Sequence, residues 1–289
     1  MMEFLKAVLF GIVEGITEWL PVSSTGHIIL LKDILNKANI PLQVSDGFYD
    51  LFEIIIQLGA ILAVVFLFFN KLNPVSQKKT TIQRKETWML WAKVIIAVIP
   101  SAIIGLLFDE PLDLYLRSTE LLGTSLNTIV VSAALIIYGV AFLFVEKWNK
   151  TRQFAITDVS AIDYRTALLM GAFQCLSLIP GTSRSGSTIL GAIILGVSRS
   201  AGAEFSFFMA IPTMLGASAL KLLKFLLEGV SATGTEVMVL VVGCVVSFIV
   251  SLLVIKALME YVRKHSFSVF GIYRIVLGIV VIGYFLLTR

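Results

Sequence analysis

The chain has 289 residues, of which 57% are hydrophobic and only 15% are charged, and its net charge is +4. Soluble domains carry about 25% charged residues, so this composition excludes a soluble globular protein and indicates an integral membrane protein. The net charge is too small to favour nucleic acid as a partner, and it is typical of basic residues concentrated in cytoplasmic loops. Cys175 and Cys244 lie in apolar runs without metal-ligand spacing, which predicts buried free thiols.

The apolar segments of the chain fall into two kinds. Six windows are long enough to cross a bilayer of about 30 Å, namely 52–69, 88–108, 119–145, 203–227, 236–258 and 268–288. Two further regions, 4–35 and 165–198, are interrupted by Leu-Pro-Val-Ser-Ser-Thr-Gly at 20–26 and by Pro-Gly-Thr-Ser-Arg-Ser-Gly at 180–186. Because each flanking half is too short to cross, and non-helical backbone at membrane depth must be covered by protein or line a cavity, these regions are predicted to be re-entrant helical hairpins.

The charges of the connecting loops indicate the orientation of these segments. Three loops are basic and are expected inside, carrying Lys71, Lys78, Lys79, Arg84 and Lys85, then Lys147, Lys150, Arg152 and Arg165, then Arg263 and Lys264. The loop 109–118, with Asp109, Glu110 and Asp113 against Arg117, and the loop 228–236, without Lys or Arg, are expected outside. This pattern requires both hairpins to return to the side from which they enter, and it places both termini outside.

The order of the predicted elements indicates an internal repeat. A hairpin and three crossings occur twice within a single membrane domain, 1–289, as repeat one at about 1–150 and repeat two at about 160–289. Gly-Ile-Val-Glu at 11–14 is similar to Gly-Ala-Phe-Gln at 171–174. Three crossings are an odd number, so the second copy is expected upside down relative to the first. Inverted repeats with broken helices have their site at the repeat interface, where the two interrupted segments should face each other. The predicted fold class is therefore an all-α integral membrane protein with six transmembrane helices and two re-entrant hairpins in an inverted-topology repeat.

Two carboxylates lie in the first hairpin. A carboxylate at mid-bilayer costs about 2.5–3.5 kcal/mol, and such residues are functional by default. Glu14 and Glu18 are spaced i, i+4 and so share one helix face. They are expected to share a proton, to bind a cation or to pair with a base. Alternatively, they point into water outside or form a structural ion pair with an arginine.

The interruption of the first hairpin carries an imidazole and several hydroxyls. The chain has two histidines, and His265 lies in a basic loop, so His27 is the candidate for chemistry. Ser23, Ser24 and Thr25 add hydroxyls beside it, whose alternative role is local capping of the turn.

The interruption of the second hairpin is typical of a phosphate site. A Gly-rich turn that leads into a helix presents unpaired N–H groups and a positive dipole end. Arg184 supplies a planar fork for phosphate oxygens, and further donors are Ser183, Ser185, Ser187 and Thr188. Alternatively, this segment is a polar hinge in which Glu14 or Glu18 holds Arg184. The anion cradle, imidazole, hydroxyls and carboxylate pair together indicate phosphoryl transfer from a membrane-embedded phosphate ester or anhydride.

These motifs resemble those of the bacterial undecaprenyl-diphosphate phosphatases, also called bacitracin-resistance proteins. Residues 14–18, Glu-Gly-Ile-Thr-Glu, match the family's E/Q-x-x-x-E motif, and residues 180–188, Pro-Gly-Thr-Ser-Arg-Ser-Gly-Ser-Thr, match its P-G-x-S-R-S-x-x-T motif. Pro-Val-Ser-Ser-Thr-Gly-His at 21–27 and the segment that follows Phe52 are also similar. The resemblance covers essentially the whole chain.

The resemblance implies a plasma-membrane phosphatase that removes the terminal phosphate of undecaprenyl diphosphate, with an active site facing outside. The product is the lipid carrier of peptidoglycan synthesis, and bacitracin resistance follows. A divalent cation, Mg²⁺ or Ca²⁺, is implied at Glu14 and Glu18. The catalytic residues are expected to be Glu14, Glu18, Ser24, His27 and Arg184, and the diphosphate-binding residues Ser23, Ser183, Arg184, Ser185 and Thr188. Water, Ser24 and His27 remain alternative nucleophiles, and a homodimer is left open.

Two other classes of membrane protein share parts of these motifs. Phosphatidic-acid-type lipid phosphatases need a second histidine after their Ser-Arg motif, and no histidine follows Arg184 within the corresponding motif here. A transporter that flips a phosphorylated polyprenyl lipid needs the same anion cradle, and inverted repeats with broken helices are common in transporters. Phosphate release by purified protein in detergent separates an enzyme from a transporter.

Overall fold

The computed structural model describes the chain except residues 122–123, 229–231 and 288–289. At 46, 109–110, 113–114, 117–118, 120–121, 124–125 and 286 it describes the backbone alone. The described residues form a nearly all-helical protein, as predicted. The exception is a short antiparallel pair of two-residue strands, β1 (Glu120–Leu121) and β2 (Thr124–Ser125).

The helices follow one another in the predicted order. They are α1 (Met2–Thr17), α2 (Ser24–Lys37), α3 (Asp46–Leu67), α4 (Phe69–Leu72), α5 (Thr81–Ser118), α6 (Leu126–Trp148), α7 (Tyr164–Cys175), α8 (Arg184–Ile194), α9 (Arg199–Leu227), α10 (Gly234–Lys264) and α11 (Ser268–Leu287). Two 3₁₀ turns lie at Val159–Ala161 and Leu176–Leu178.

Six of these helices are long and apolar enough to cross a membrane. The spans are Gly47–Leu67, Thr81–Phe108, Leu126–Trp148, Arg199–Leu227, Gly234–Lys264 and Ser268–Phe285. Each overlaps one of the six windows expected from hydropathy, although the third begins at Leu126 rather than at 119, and together they confirm a multi-pass membrane protein. The shorter helices α1 and α2, and likewise α7 and α8, are each separated by a non-helical turn. Their re-entry from one membrane face stays a prediction.

One connection differs from the sequence-based expectation. Residues 109–118 were predicted to form an outside loop, but they continue α5 to Ser118, and α6 begins only at Leu126. Leu116 is buried in this extension, so a helical continuation gains apolar packing that an open loop would lose. The side chains of Asp109, Glu110, Asp113 and Arg117, which gave this segment its predicted charge, lie outside the described residues.

The two interruptions have local causes in the sequence. Pro21 and Pro180 lack a backbone N–H and disfavour helix in the preceding residue, so α1 and α7 end before them. After each interruption the next helix begins at a serine N-cap. Ser23 accepts a hydrogen bond from the Gly26 N–H at the start of α2. In the second half, Ser183 accepts one from the Gly186 N–H at the start of α8.

The helix packing relates the first half of the chain to the second. Helix α1 packs along α10 and α7 packs along α5, while α3 packs on α9 and α6 on α11. The close approaches use matching glycines, because a Cβ at Gly11 would lie 2.7 Å from the Gly243 carbonyl of α10, and one at Gly171 would collide with the Ala97 carbonyl of α5. These are the pairings that two related halves would form. The opposite orientation of the halves and the repeat boundaries stay predictions.

Candidate active site

The candidate site is built from the two interruptions. We call residues 18–23, between α1 and α2, the first turn, and residues 179–183, between the 3₁₀ turn after α7 and α8, the second turn. The last residue of each is a serine with left-handed backbone, with φ of 72° at Ser23 and 71° at Ser183. This conformation is costly for a residue with a Cβ and tends to persist at functional sites. Both turns therefore have the same unusual exit into a helix N-terminus.

The two turns lie against each other, as predicted. The Ser185 hydroxyl, near the N-terminus of α8, donates to the backbone carbonyls of Glu18 and Leu20 at 3.1 and 3.3 Å. The contact places the N-terminus of α8, with its free N–H groups and positive dipole end, beside the C-terminus of α1. Residues far apart in the chain thus form one polar centre.

An ion pair joins the charged groups of that centre. The Arg184 Nη2 donates to Glu18 Oε1 at 2.9 Å, and its Nη1 donates to the Ser206 carbonyl of α9 at 2.9 Å. The Ser24 hydroxyl donates to the other carboxylate oxygen of Glu18, Oε2, at 2.8 Å. Glu18 therefore accepts hydrogen bonds from the Arg184 guanidinium and from the Ser24 hydroxyl at the same time. The order Ser24–Glu18–Arg184 places a nucleophile-type hydroxyl within hydrogen-bond reach of a base.

Glu14 lies one helical turn before Glu18 in a different environment. Its residue is 2% exposed, and its Oε1 has no hydrogen-bond partner among the described residues. An unpartnered carboxylate oxygen in a buried place is costly unless it binds a proton or a cation. Glu14 is thus a carboxylate of the predicted site with an unused acceptor, and Arg184 Nε is an unused donor of the same site.

The carboxylates can be tested as cation ligands on this geometry. Both offer hard oxygen donors, which Mg²⁺ and Ca²⁺ prefer, and Glu14 Oε1 is free to accept one. No cluster of three or more His, Cys, Asp or Glu side chains suited to a metal occurs in the described part of the chain. Two carboxylates are a donor set that fits a cation such as Mg²⁺, which proteins commonly bind through one or two carboxylates together with substrate phosphates.

Most hydroxyls predicted to bind the diphosphate hold the two turns in place. Thr188 is fully buried, with its hydroxyl 2.5 Å from that of Ser206. Ser23 is also buried and caps α2. Ser183 is half-buried, and its hydroxyl lies 3.2 Å from that of Ser185. Direct contact of these four side chains with a phosphate stays a prediction, and their structural contacts define the shape of the cradle.

The hydrogen bonds of His27 go to groups other than Glu18 and Arg184. Its Nδ1 lies 2.7 Å from the Ser23 carbonyl and its Nε2 lies 2.7 Å from the Tyr273 hydroxyl. Because a carbonyl only accepts, Nδ1 carries a proton, and in the neutral ring Nε2 accepts from Tyr273. The imidazole is therefore oriented as a base, with a tyrosine of α11 at its lone pair. His265 lies exposed at the C-terminal end of α10.

Three residues of this centre were missed by the sequence analysis. Tyr273 and Arg274 lie in the window 268–288, which was interpreted as a plain crossing, and Ser206 lies in α9. Arg274 is fully buried and donates to the Pro21 carbonyl of the first turn at 3.1 Å and to the Gly181 carbonyl of the second at 2.9 Å. A lone arginine in an apolar window was the available signal, since intramembrane charges mark functional places. Tyr273 and Ser206 carried no comparable signal.

Comparison with known proteins identifies the family of this chain. The family model described as "Bacitracin resistance protein BacA" matches residues 7–280. The chain is 55% identical over 288 residues to "Undecaprenyl-diphosphatase 1" of Clostridioides difficile, covering 99% of this chain and 98% of that protein. It is 53% identical over 287 residues to "Undecaprenyl-diphosphatase" of Lactiplantibacillus plantarum, covering 99% of both. It is 50% identical over 281 residues to "Undecaprenyl-diphosphatase" of Enterococcus faecalis, covering 97% of both. The family model covers both turns and most of the chain, and each of these relatives matches at least 97% of it. The chain therefore belongs to the bacitracin resistance protein BacA family.

Proposed function

We propose that this protein is a membrane phosphatase that hydrolyses undecaprenyl diphosphate to undecaprenyl phosphate and phosphate. The product is the lipid carrier of peptidoglycan synthesis, and the activity confers bacitracin resistance. One structural observation carries the proposal: an arginine at a helix N-terminus contacts a buried carboxylate that also binds a serine hydroxyl. This arrangement combines an anion site with a nucleophile and its base. The full-length relatives named as diphosphatases support the substrate.

The terminal phosphate would bind at the start of α8. Arg184 offers a bidentate fork, and the unpaired N–H groups at the N-terminus of α8 would donate to the same phosphate. The Arg184 side chain is 10% exposed and that of its partner Glu18 is 8% exposed. An entering phosphate would therefore replace Glu18 as the partner of Arg184. That exchange frees a carboxylate oxygen at the moment when a base is needed.

Ser24 is the nucleophile that this geometry favours among water, Ser24 and His27. Its oxygen would form a bond to the terminal phosphorus while the bond to the bridging oxygen breaks, and undecaprenyl phosphate would leave with the electron pair. The hydroxyl proton would pass to Glu18, with which Ser24 already shares a hydrogen bond. Water would then cleave the phosphoserine and release phosphate. Arg184 would stabilise the charge that develops on the phosphoryl oxygens.

Glu14 and Glu18 would hold a divalent cation, Mg²⁺ or Ca²⁺. When bound, such a cation would neutralise charge on the phosphate oxygens. The unpartnered oxygen of Glu14 supports this assignment. We further propose that the protein lies in the bacterial plasma membrane, that its site opens to the outside and that the protein forms a homodimer, which light scattering of the detergent complex would test.

Purified protein in detergent, supplied with undecaprenyl diphosphate, tests the proposed activity. Phosphate release that depends on enzyme concentration is expected, and its absence across a range of divalent cations would refute the activity and favour a lipid transporter. Substrate labelled in the terminal phosphate, with the reaction quenched in detergent at mildly alkaline pH where phosphohistidine and phosphoserine both survive, tests the nucleophile. We expect a labelled peptide containing Ser24. Label on His27, or full activity in Ser24→Ala, would reject Ser24 while leaving the proposed activity intact.

A further inference from the structure

Arg274 is a buried cation that the proposed chemistry does not use. Its residue is fully buried in α11. Its Nη1 donates to the Pro21 carbonyl at 3.1 Å, and its Nη2 lies 2.9 Å from the Gly181 carbonyl and 3.0 Å from the Thr182 carbonyl. One guanidinium thus binds the backbone of both turns. No carboxylate pairs with Arg274 among the described residues.

The Arg274 guanidinium lies beside the N-terminus of α8, where the phosphate is proposed to bind. A Cβ added to Gly186, near the N-terminus of α8, would lie 3.2 Å from Arg274 Nη1. In a trans peptide the C=O and the following N–H point in opposite directions. Because Arg274 draws the Thr182 carbonyl to its side, the N–H of Ser183 points away from Arg274. The contact therefore fixes which face of the second turn offers donors.

The fork of Arg274 also sets the distance between the turns. The first turn carries Glu18 and leads into Ser24, whereas the second leads into Arg184, so the relative position of the turns determines how the three side chains meet. Ser185 of α8 adds a contact to the first turn, but it does so with a single hydroxyl. Arg274 contacts both from a third element, α11, and can hold them in one register.

We propose that Arg274 is a positioning residue that holds the first and second turns in the geometry required for phosphoryl transfer. This inference rests on the proposed active site and adds a residue that does not touch the reacting atoms. A misplacement of about 1 Å can cost about 10²-fold in rate. Loss of the fork should accordingly lower kcat, while the phosphate ligands of the second turn keep the substrate affinity.

Two variants and a matched control test this role in the full-length protein in detergent. Arg274→Lys keeps the charge but has no planar fork to bridge carbonyls of two turns, and Arg274→Met removes both charge and donors at similar length. Arg199→Lys is the control, because Arg199 makes a two-pronged ion pair with Glu146 that joins α9 to α6 away from the turns. Folded fraction is measured from the monodisperse peak and its cooperative thermal transition, and kcat is expressed per folded molecule.

We expect both Arg274 variants to lose about 10²-fold in kcat per folded molecule while KM changes by less than about threefold. Arg199→Lys should lower thermal stability with little change in kcat per folded molecule. Near-normal kcat in Arg274→Lys would overturn the proposal because the planar fork would then be dispensable, and near-normal kcat in both variants would remove any role in the reaction. If neither variant folds, Arg274 serves folding, and the proposal is equally overturned. An inactive wild-type protein in the same assay would instead refute the proposed function.

Discussion

The Glu18 carboxylate and the Arg184 guanidinium form an ion pair with 2.9 Å between Oε1 and Nη2, across a separation of 166 residues in the chain. Both side chains are almost buried, so the pair leaves little of the polar centre exposed to solvent. We propose that an entering phosphate competes with Glu18 for Arg184. On this proposal Glu18 would be a partner of arginine in the free enzyme and a base or cation ligand once substrate binds.

The first prediction concerns the arginine of that pair. Arg184→Lys keeps the positive charge but loses the bidentate fork and the second hydrogen bond, to the Ser206 carbonyl. We expect kcat/KM for undecaprenyl diphosphate to fall by about 10²-fold or more, the loss typical of a removed transition-state donor. Arg165→Lys, at an exposed position of α7, is the control and should keep its activity. Near-normal turnover of Arg184→Lys would identify Arg184 as a structural partner of Glu18 alone.

The second prediction separates the two carboxylates by their partners. Glu14→Gln alters the acceptor with an unused oxygen, so it should raise the divalent-cation concentration needed for half-maximal activity by about 10-fold or more. Glu18→Gln should weaken the cation response and also lose kcat, because Glu18 binds both Ser24 and Arg184. Activity titrations with Mg²⁺ and Ca²⁺ measure both effects.

The competing explanation for the carboxylate pair is proton sharing. In that case the pH dependence of kcat/KM moves in the two variants while the cation response stays the same. A variant pair with normal cation and pH dependence would contradict both explanations and would leave Glu14 as a buried structural residue.

The sequence was most informative where chemistry and local structure use the same residues. Pro21, Pro180 and the serines after them terminate one helix and cap the next, so the interruptions were visible as a pattern. The i, i+4 spacing of Glu14 and Glu18 needs only a helix to bring them together. These features depend on neighbours within a few positions, and the structure places them as expected.

The sequence was least informative where distant helices meet. The hydrogen bond between His27 and Tyr273 spans 246 residues, and the pattern around His27 gives no sign of it. Arg274 was overlooked because one charge hardly changes the mean hydropathy of a window. The helical extension of α5 to Ser118 was missed because charged residues were interpreted as a loop, whereas a helix end can carry them in water.

The third prediction concerns the imidazole. If His27 acts as a base or relays a proton, His27→Gln should lose about 10²-fold or more in kcat, and exposed His265→Ala should have almost no effect. Tyr273→Phe removes the hydroxyl that donates to Nε2 while keeping the stacked ring. We expect it to change the pH profile of kcat more than its maximum. Equal losses in His27→Gln and His265→Ala would argue that neither imidazole takes part in catalysis.

The fourth prediction is the orientation of the site, which follows from the basic loops expected on the cytoplasmic side. A background without Cys175 and Cys244 allows single cysteines to report which side each segment faces. Ala38→Cys, in the exposed connection after α2, should react with a membrane-impermeant thiol reagent added from outside. Gln77→Cys, exposed in the basic segment between α4 and α5, should react only after the membrane is permeabilised.

A third position tests access to the site itself. Thr25 is exposed in the first turn of α2, next to Ser24. If the pocket opens outside, Thr25→Cys should be labelled from outside, and undecaprenyl diphosphate should slow the labelling because the lipid covers this entrance. Labelling of Gln77→Cys but not Ala38→Cys from outside would reverse the topology. Correct loop labelling with Thr25→Cys reactive only after permeabilisation would keep the topology but assign the substrate to the inner leaflet.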